Sequence, residues 1–212
     1  EKMLEEAFSL YMPFRIGHAL ALKEEYGAAE RLLRAALGSE EEPVPYRQDL
    51  YYHIGAVLAA DGRKDEARDA FEQALNLNPG DSRAHNDLAV LLEAAGEYDA
   101  ALEHYRTAVE ANPEFALALS NLGDLLGRMG DVEGAVETFK KALEQDPDNP
   151  ELQYNLAVQL TELGEVKEAI GWYKAVLKQA PHDVRTLNNL GLLLAGQGKT
   201  EEAARLFRKA LK

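Results

Sequence analysis

Apolar residues recur along this chain at the spacing of one helical face. Within residues 48–81, Tyr51, Ile54, Gly55 and Leu58 stand at i, i+3, i+4 and i+7, and Ala67, Phe71, Ala74 and Leu75 form a second stripe beyond Gly62. Each stripe predicts an amphipathic helix, and two in succession predict a helix pair. The arrangement then repeats. Gly62, Gly96, Gly130, Gly164 and Gly198 stand 34 residues apart, and the same spacing carries Leu58, Leu92, Leu126, Leu160 and Leu194. Further columns hold Ala67, Ala101, Ala135, Ala169 and Ala203, then Phe71, Tyr105, Phe139, Tyr173 and Phe207. Columns kept in one register over five repeats predict an array of helix pairs.

Each column has a steric reason. The glycine falls where the first helix must stop, and the left-handed backbone of a tight reversal suits a residue without a Cβ. Small residues at Gly55, Ala89, Gly123, Ala157 and Gly191 face the small column from Ala67 to Ala203, so paired helices can approach closely while Phe or Tyr fills the adjoining space. Pro79, Pro113, Pro147 and Pro181 close each second helix and set up entry to the next first helix.

This pattern resembles the tetratricopeptide repeat family over about residues 10–212. The resemblance implies an all-α fold, a right-handed α-α superhelix or solenoid of stacked antiparallel helix pairs. In its register residues 48–81, 82–115, 116–149 and 150–183 are full repeats, and 184–212 stops at the end of a second helix. Residues 10–43 read as a degenerate first repeat, with Ile16, Gly17, Leu20, Ala29, Leu33, Ala36 and Leu37 in the core columns. Its departures are Pro13, Glu24 in place of the turn glycine, Leu33 in place of the aromatic, and an insertion around Pro45. Residues 1–9 are expected to form a capping segment, so that all the repeats together make one solenoid domain.

Composition narrows the functions. The 212 residues carry 23 Lys plus Arg against 37 Asp plus Glu, a formal net charge of −14 that repels phosphate backbones and anionic headgroups. Nucleic acid is therefore not an expected ligand, and no apolar run is long enough to insert in a membrane. The absence of cysteine removes disulfides and thiolate metal sites. No phosphate loop, nucleophile elbow or His-Glu-x-x-His motif occurs, and His18, His53, His85, His104 and His182 are scattered without helical ligand spacing. No cofactor, metal or catalysis is expected, and the default compartment is the cytoplasm. The last helix pair, with no further helix to cover it, is a candidate surface for self-association.

The expectation is a scaffold for a protein or peptide partner. If the first helices bury Leu122 and Leu126, then Leu117, Asn121, Asp124 and Arg128 fall on the opposite side, lining the concave groove of a stacked array. Asn121, Asn155 and Asn189 hold one position in three successive repeats, preceded there by His53 and Asp87, and Tyr52, Asn86, Tyr154 and Asn188 flank them. A primary amide offers donor and acceptor, so such a row can bond the N–H and C=O groups of an extended or helical segment without reading its side chains. The row resembles the asparagine ladder in the tetratricopeptide arm of O-linked N-acetylglucosamine transferase. The alternatives are a substrate-recruiting arm of a larger transferase and a self-assembling scaffold. A clamp for chaperone C-termini is not expected, because Tyr52 and Ala56, or Asn86 and Val90, stand where that branch of the family needs lysine and asparagine.

Overall fold

The structure, a computed structural model, describes residues 20–38 and 46–211. Residues 1–9, Ile16, Gly17 and the insertion around Pro45 lie outside the described residues. Those described contain eleven helices and no strand. The chain divides into two compact units, residues 1–112 and 113–212, and each is described by itself.

In the first unit α1 (Tyr26–Leu37) is followed by the pair α2 (Arg47–Ala60) and α3 (Lys64–Leu77), then by α4 (Ser82–Ala94) and α5 (Tyr98–Ala111). In the second, three pairs follow in order: α6 (Ala116–Arg128) with α7 (Val132–Gln145), α8 (Pro150–Glu162) with α9 (Val166–Gln179), and α10 (Val184–Gly196) with α11 (Thr200–Ala210). Within each unit a second helix packs both on its own first helix and on the first helix of the next pair. First helices of successive pairs meet more sparingly, α2 with α4 and α6 with α8. One face of the first helices is thereby left to solvent.

The reversals within the pairs share one geometry. Gly62, Gly96, Gly130, Gly164 and Gly198 all have φ between 78° and 88°, and the next residue donates its N–H to the leucine carbonyl five places back, as from Arg63 to Leu58. This is the Schellman closure, which satisfies a carbonyl that the helix end leaves unpaired. Glu24 takes the same left-handed backbone at φ 61°, and Glu25 donates to Leu20 in the same way.

The core columns fill as the sequence requires. Ala67, Ala101, Ala135, Ala169 and Ala203 are buried, as are Phe71, Tyr105, Phe139 and Tyr173. A Cβ added at Gly55 would lie 2.7 Å from the Phe71 ring, at Gly123 2.9 Å from Phe139, and at Gly191 2.6 Å from Phe207. In the same column Ala89 and Ala157 belong to repeats whose second helix carries tyrosine, Tyr105 or Tyr173. Both tyrosine hydroxyls are held near the first helices. Tyr105 donates to Glu93 at 3.0 Å, and Tyr173 accepts from Asn189 at 3.4 Å. In this column phenylalanine is thus paired with glycine and tyrosine with alanine.

A glycine inside a helix ordinarily gains up to about 1 kcal/mol on replacement by alanine. Gly123→Ala should instead cost about 1–3 kcal/mol, because its Cβ overpacks the Phe139 ring. Urea unfolding checks the sign, and adding Phe139→Leu should recover part of the loss.

Candidate interaction faces

In the second unit the asparagines of the row come from three first helices: Asn121 from α6, Asn155 from α8 and Asn189 from α10, each half-buried. The amides of Asn155 and Asn189 are already engaged. Asn155 Nδ2 donates to Asp124 Oδ1 at 2.9 Å, reaching back to the preceding first helix. A carboxylate only accepts, so this contact fixes the nitrogen toward Asp124 and leaves Oδ1 as the open end of the amide. Asn189 Nδ2 donates to the hydroxyls of Tyr154 at 3.1 Å and Tyr173 at 3.4 Å. At Asn189 both amide protons are spent inside the protein and at Asn155 one of the two, while neither carbonyl oxygen has a partner among the described residues. Arg128 and Asn188 are exposed on the same helices.

Charged residues of this face also pair across successive first helices. The Arg185 guanidinium lies 4.5 Å from the centre of the Tyr154 ring and donates to both oxygens of Glu151, at 3.1 and 2.8 Å. The first unit repeats the cluster three periods earlier. Arg83 lies 4.6 Å from the Tyr52 ring centre and donates to Asp49 at 2.8 Å and to Asp81 at 2.7 Å, while the Tyr52 hydroxyl donates to Asp87 at 3.1 Å. Stacking on a ring and a carboxylate on the neighbouring helix together hold each arginine in one place. The pair on α6 has no such cluster, since Leu117 and Ser120 occupy the arginine and tyrosine positions.

Asp81 and Asp183 also cap α4 and α10, accepting backbone N–H bonds. Burial pushes the Asp81 carboxyl up, but the Arg83 guanidinium and the N–H groups of Ala84 and Arg83 outweigh it and hold it below the usual carboxylate range. Asp183 is lowered against burial in the same manner, by the Thr186 hydroxyl and N–H and by Arg185. Asp87 moves the other way: burial pushes it up more than the bonds from Asn86 and Tyr52 lower it. The Tyr52 phenol is raised by burial and then by the Asp87 charge.

The remaining expected residues separate. His53 meets the Tyr52 ring edge-on at 5.2 Å, and Asp87 is half-buried beside them. Asn86 is 1% exposed and donates to Asp87 at 2.9 Å, so the structure places it inside rather than on the face. The histidines are less scattered than their spacing suggests, because His85 and His104 meet Nδ1 to Nδ1 at 2.8 Å. His85 Nε2 lies 3.0 Å from the Pro79 carbonyl, to which it must donate, so in the neutral pair His104 Nδ1 carries the shared proton. Burial, then His85, lowers the pKa of His104. Among the described residues no group of three His, Cys, Asp or Glu could hold a metal ion, and no helix is long and apolar enough to cross a membrane.

Sequence reasoning named Tyr154 but not its union with Arg185 and Glu151. It also assigned Tyr173 to the core alone, and missed Val158, Thr161, Leu192 and Leu193, which surround Asn189 and Tyr173 in an open cleft of about 270 Å³. The signal for the clusters lay in a longer period, with Asp49, Tyr52 and Arg83 answered three repeats on by Glu151, Tyr154 and Arg185.

Asp87 and Asn189 hold the same column and bond the same tyrosine column. A carboxyl raised by burial favours the fold below its unfolded value and loses that contribution as pH rises through its folded value. Asp87→Asn should therefore raise the melting temperature at neutral pH. The gain should vanish below about pH 3.9, the unfolded carboxylate value. Melting curves across pH test this, and a loss of stability at neutral pH would contradict it.

Comparison with known proteins adds the lineage. A tetratricopeptide repeat family model matches residues 14–82, 52–114 and 120–184, a second such model matches 92–139 and a third 184–212. Photosystem I assembly protein Ycf3 of Synechococcus elongatus is 36% identical over 90 residues, which are 42% of this chain and 50% of that protein. The chain thus spans about half the length of the curated relatives it matches. Among solved structures, YrrB, described as a TPR protein with an unusual peptide-binding site, aligns with TM-score 0.75 and 20% identity over 84% of this chain and 90% of its own. MamA of Desulfovibrio magneticus gives TM-score 0.73 and 16% identity over 80% and 96%. A tetratricopeptide repeat protein of Parabacteroides merdae gives 0.74 and 23% over 96% and 79%. At these identities the structural likeness bears on the fold alone. The repeat columns, the helix pairs and the family models agree: the chain belongs to the tetratricopeptide repeat family.

Proposed function

We propose that the chain is a non-catalytic scaffold that holds an extended or helical segment of a protein partner against the open faces of its first helices. The family is one of protein-interaction scaffolds, and the finer reading concerns which surface works and by what chemistry. One observation carries it: in the second unit both amide protons of Asn189 and one of the two on Asn155 are bound internally, while their carbonyl oxygens are not. A face so arranged accepts hydrogen bonds. It suits the backbone N–H groups of a peptide, and lysine or arginine beside them.

In the second unit the contact set comprises Asn121, Asn155, Asn189, Asp124, Arg128, Tyr154 and Asn188. In the first it comprises Tyr52, His53 and Asp87, without the buried Asn86. The stacked arginines serve as fixed walls, because each is committed to the carboxylate that caps its own helix and to one on the neighbouring first helix. A role in building a larger complex fits the relation to a photosystem I assembly protein, and a peptide ligand fits the likeness to a TPR protein with a peptide-binding site.

Replacing Asn121, Asn155 and Asn189 together by alanine should weaken partner binding by about 1 kcal/mol per lost hydrogen bond. Affinity capture from a lysate of the source organism, run beside melting curves, separates this from unfolding. Partners kept by the wild type and lost from a folded triple variant support the reading. Partners retained at undiminished affinity refute it.

A further inference from the structure

The cleft around Asn189 goes further than the hydrogen-bonding face, and it rests on the reading of that face as the binding surface. Its walls are Val158 on α8 and Leu192 and Leu193 on α10, and Asn189, Tyr173 and Thr161 complete the lining beside Glu162. Leu192 is 64% exposed, so a leucine stands in water where the neighbouring Leu190 and Leu194 are buried. A volume of about 270 Å³ falls below that of a whole small-molecule site but accommodates one large side chain.

The polar lining is already served on its donor side. Thr161 donates to the Ala157 carbonyl at 2.7 Å, and Asn189 Nδ2 spans two tyrosine hydroxyls. What the cleft still offers is the Asn189 carbonyl oxygen and the exposed Glu162 carboxylate, which has no ion pair among the described residues. No lysine or arginine lines it. A phosphate or carboxylate ligand would meet only Glu162 and a chain of net charge −14, whereas a cation beside the cleft would be attracted by both.

We propose that this cleft takes one large apolar side chain, leucine or phenylalanine in size, from an extended partner segment in which that residue is flanked by lysine or arginine. The side chain covers Leu192, Leu193 and Val158, the segment's backbone N–H donates to Asn189 Oδ1, and the flanking cation sits by Glu162.

The test uses three fluorescein-labelled heptapeptides in the full chain's presence: Ala-Ala-Lys-Leu-Lys-Ala-Ala, a version with the central leucine replaced by alanine, and a version with both lysines replaced by glutamate. Anisotropy gives affinity, and methyl and side-chain amide NMR gives the place. The first peptide should shift the Val158, Leu192 and Leu193 methyls, and the alanine version should bind about tenfold more weakly. Leu192→Ala should remove most of that difference, and Glu162→Gln should reduce the preference for lysine by about threefold. Both side chains are exposed, so melting should not change. If the peptides move the Asn121 and Asn155 amides but leave the three methyls still, the cleft proposal fails while the first-helix reading stands. If no peptide at millimolar concentration shifts any resonance of the first-helix faces, both fail.

Discussion

The close approach of the two helices in each pair is the constraint on which the rest depends. Only a small residue on the first helix lets the aromatic ring of the second lie flat against it, and three of the five such positions are glycines under phenylalanine. With that contact made, the second helix becomes a wedge that packs on two first helices at once, and the first helices are left with one face uncovered. The open face is thus a by-product of how the core closes.

Where tyrosine replaces phenylalanine, core and face become coupled. The Tyr173 ring is buried, yet its hydroxyl ends beside Asn189 and helps to fix that amide. The Tyr154 hydroxyl does the same from the neighbouring first helix, while its ring supports Arg185. A face built this way is preorganised. Its side chains are held by packing and by one another before any partner arrives, which lowers the ordering cost of association.

The fold was legible because each column has a steric reason to persist. A glycine in left-handed backbone, an alanine under a neighbouring helix and a ring between two helices are each demanded again 34 residues on. The open face obeys no such rule. The column that holds Arg83 and Arg185 also holds Asp49, Leu117 and Glu151, so reading down a column hides the pairing, which runs between columns of adjacent repeats. Asn86 looked like a surface residue because Tyr52, Tyr154 and Asn188 share its column, but it is buried. His85 and His104 lie on different helices, where no helical spacing could join them. Leu192 was lost among Leu190, Leu193 and Leu194, since composition alone does not say which leucine faces out.

Asn189 turns both its donors inward and Asn155 one of its two, and each presents its carbonyl oxygen. Side-chain amide hydrogen exchange at Asn155 and Asn189, measured by NMR in the free protein, tests this arrangement directly. Slowed exchange of the Asn189 amide protons and of one amide proton at Asn155, relieved at Asn155 by Asp124→Ala and at Asn189 by Tyr154→Phe, is the result expected. Exchange of those protons at the rate of a free amide in the wild type would contradict it, because donors open to solvent would be as available to a partner as the carbonyl oxygens.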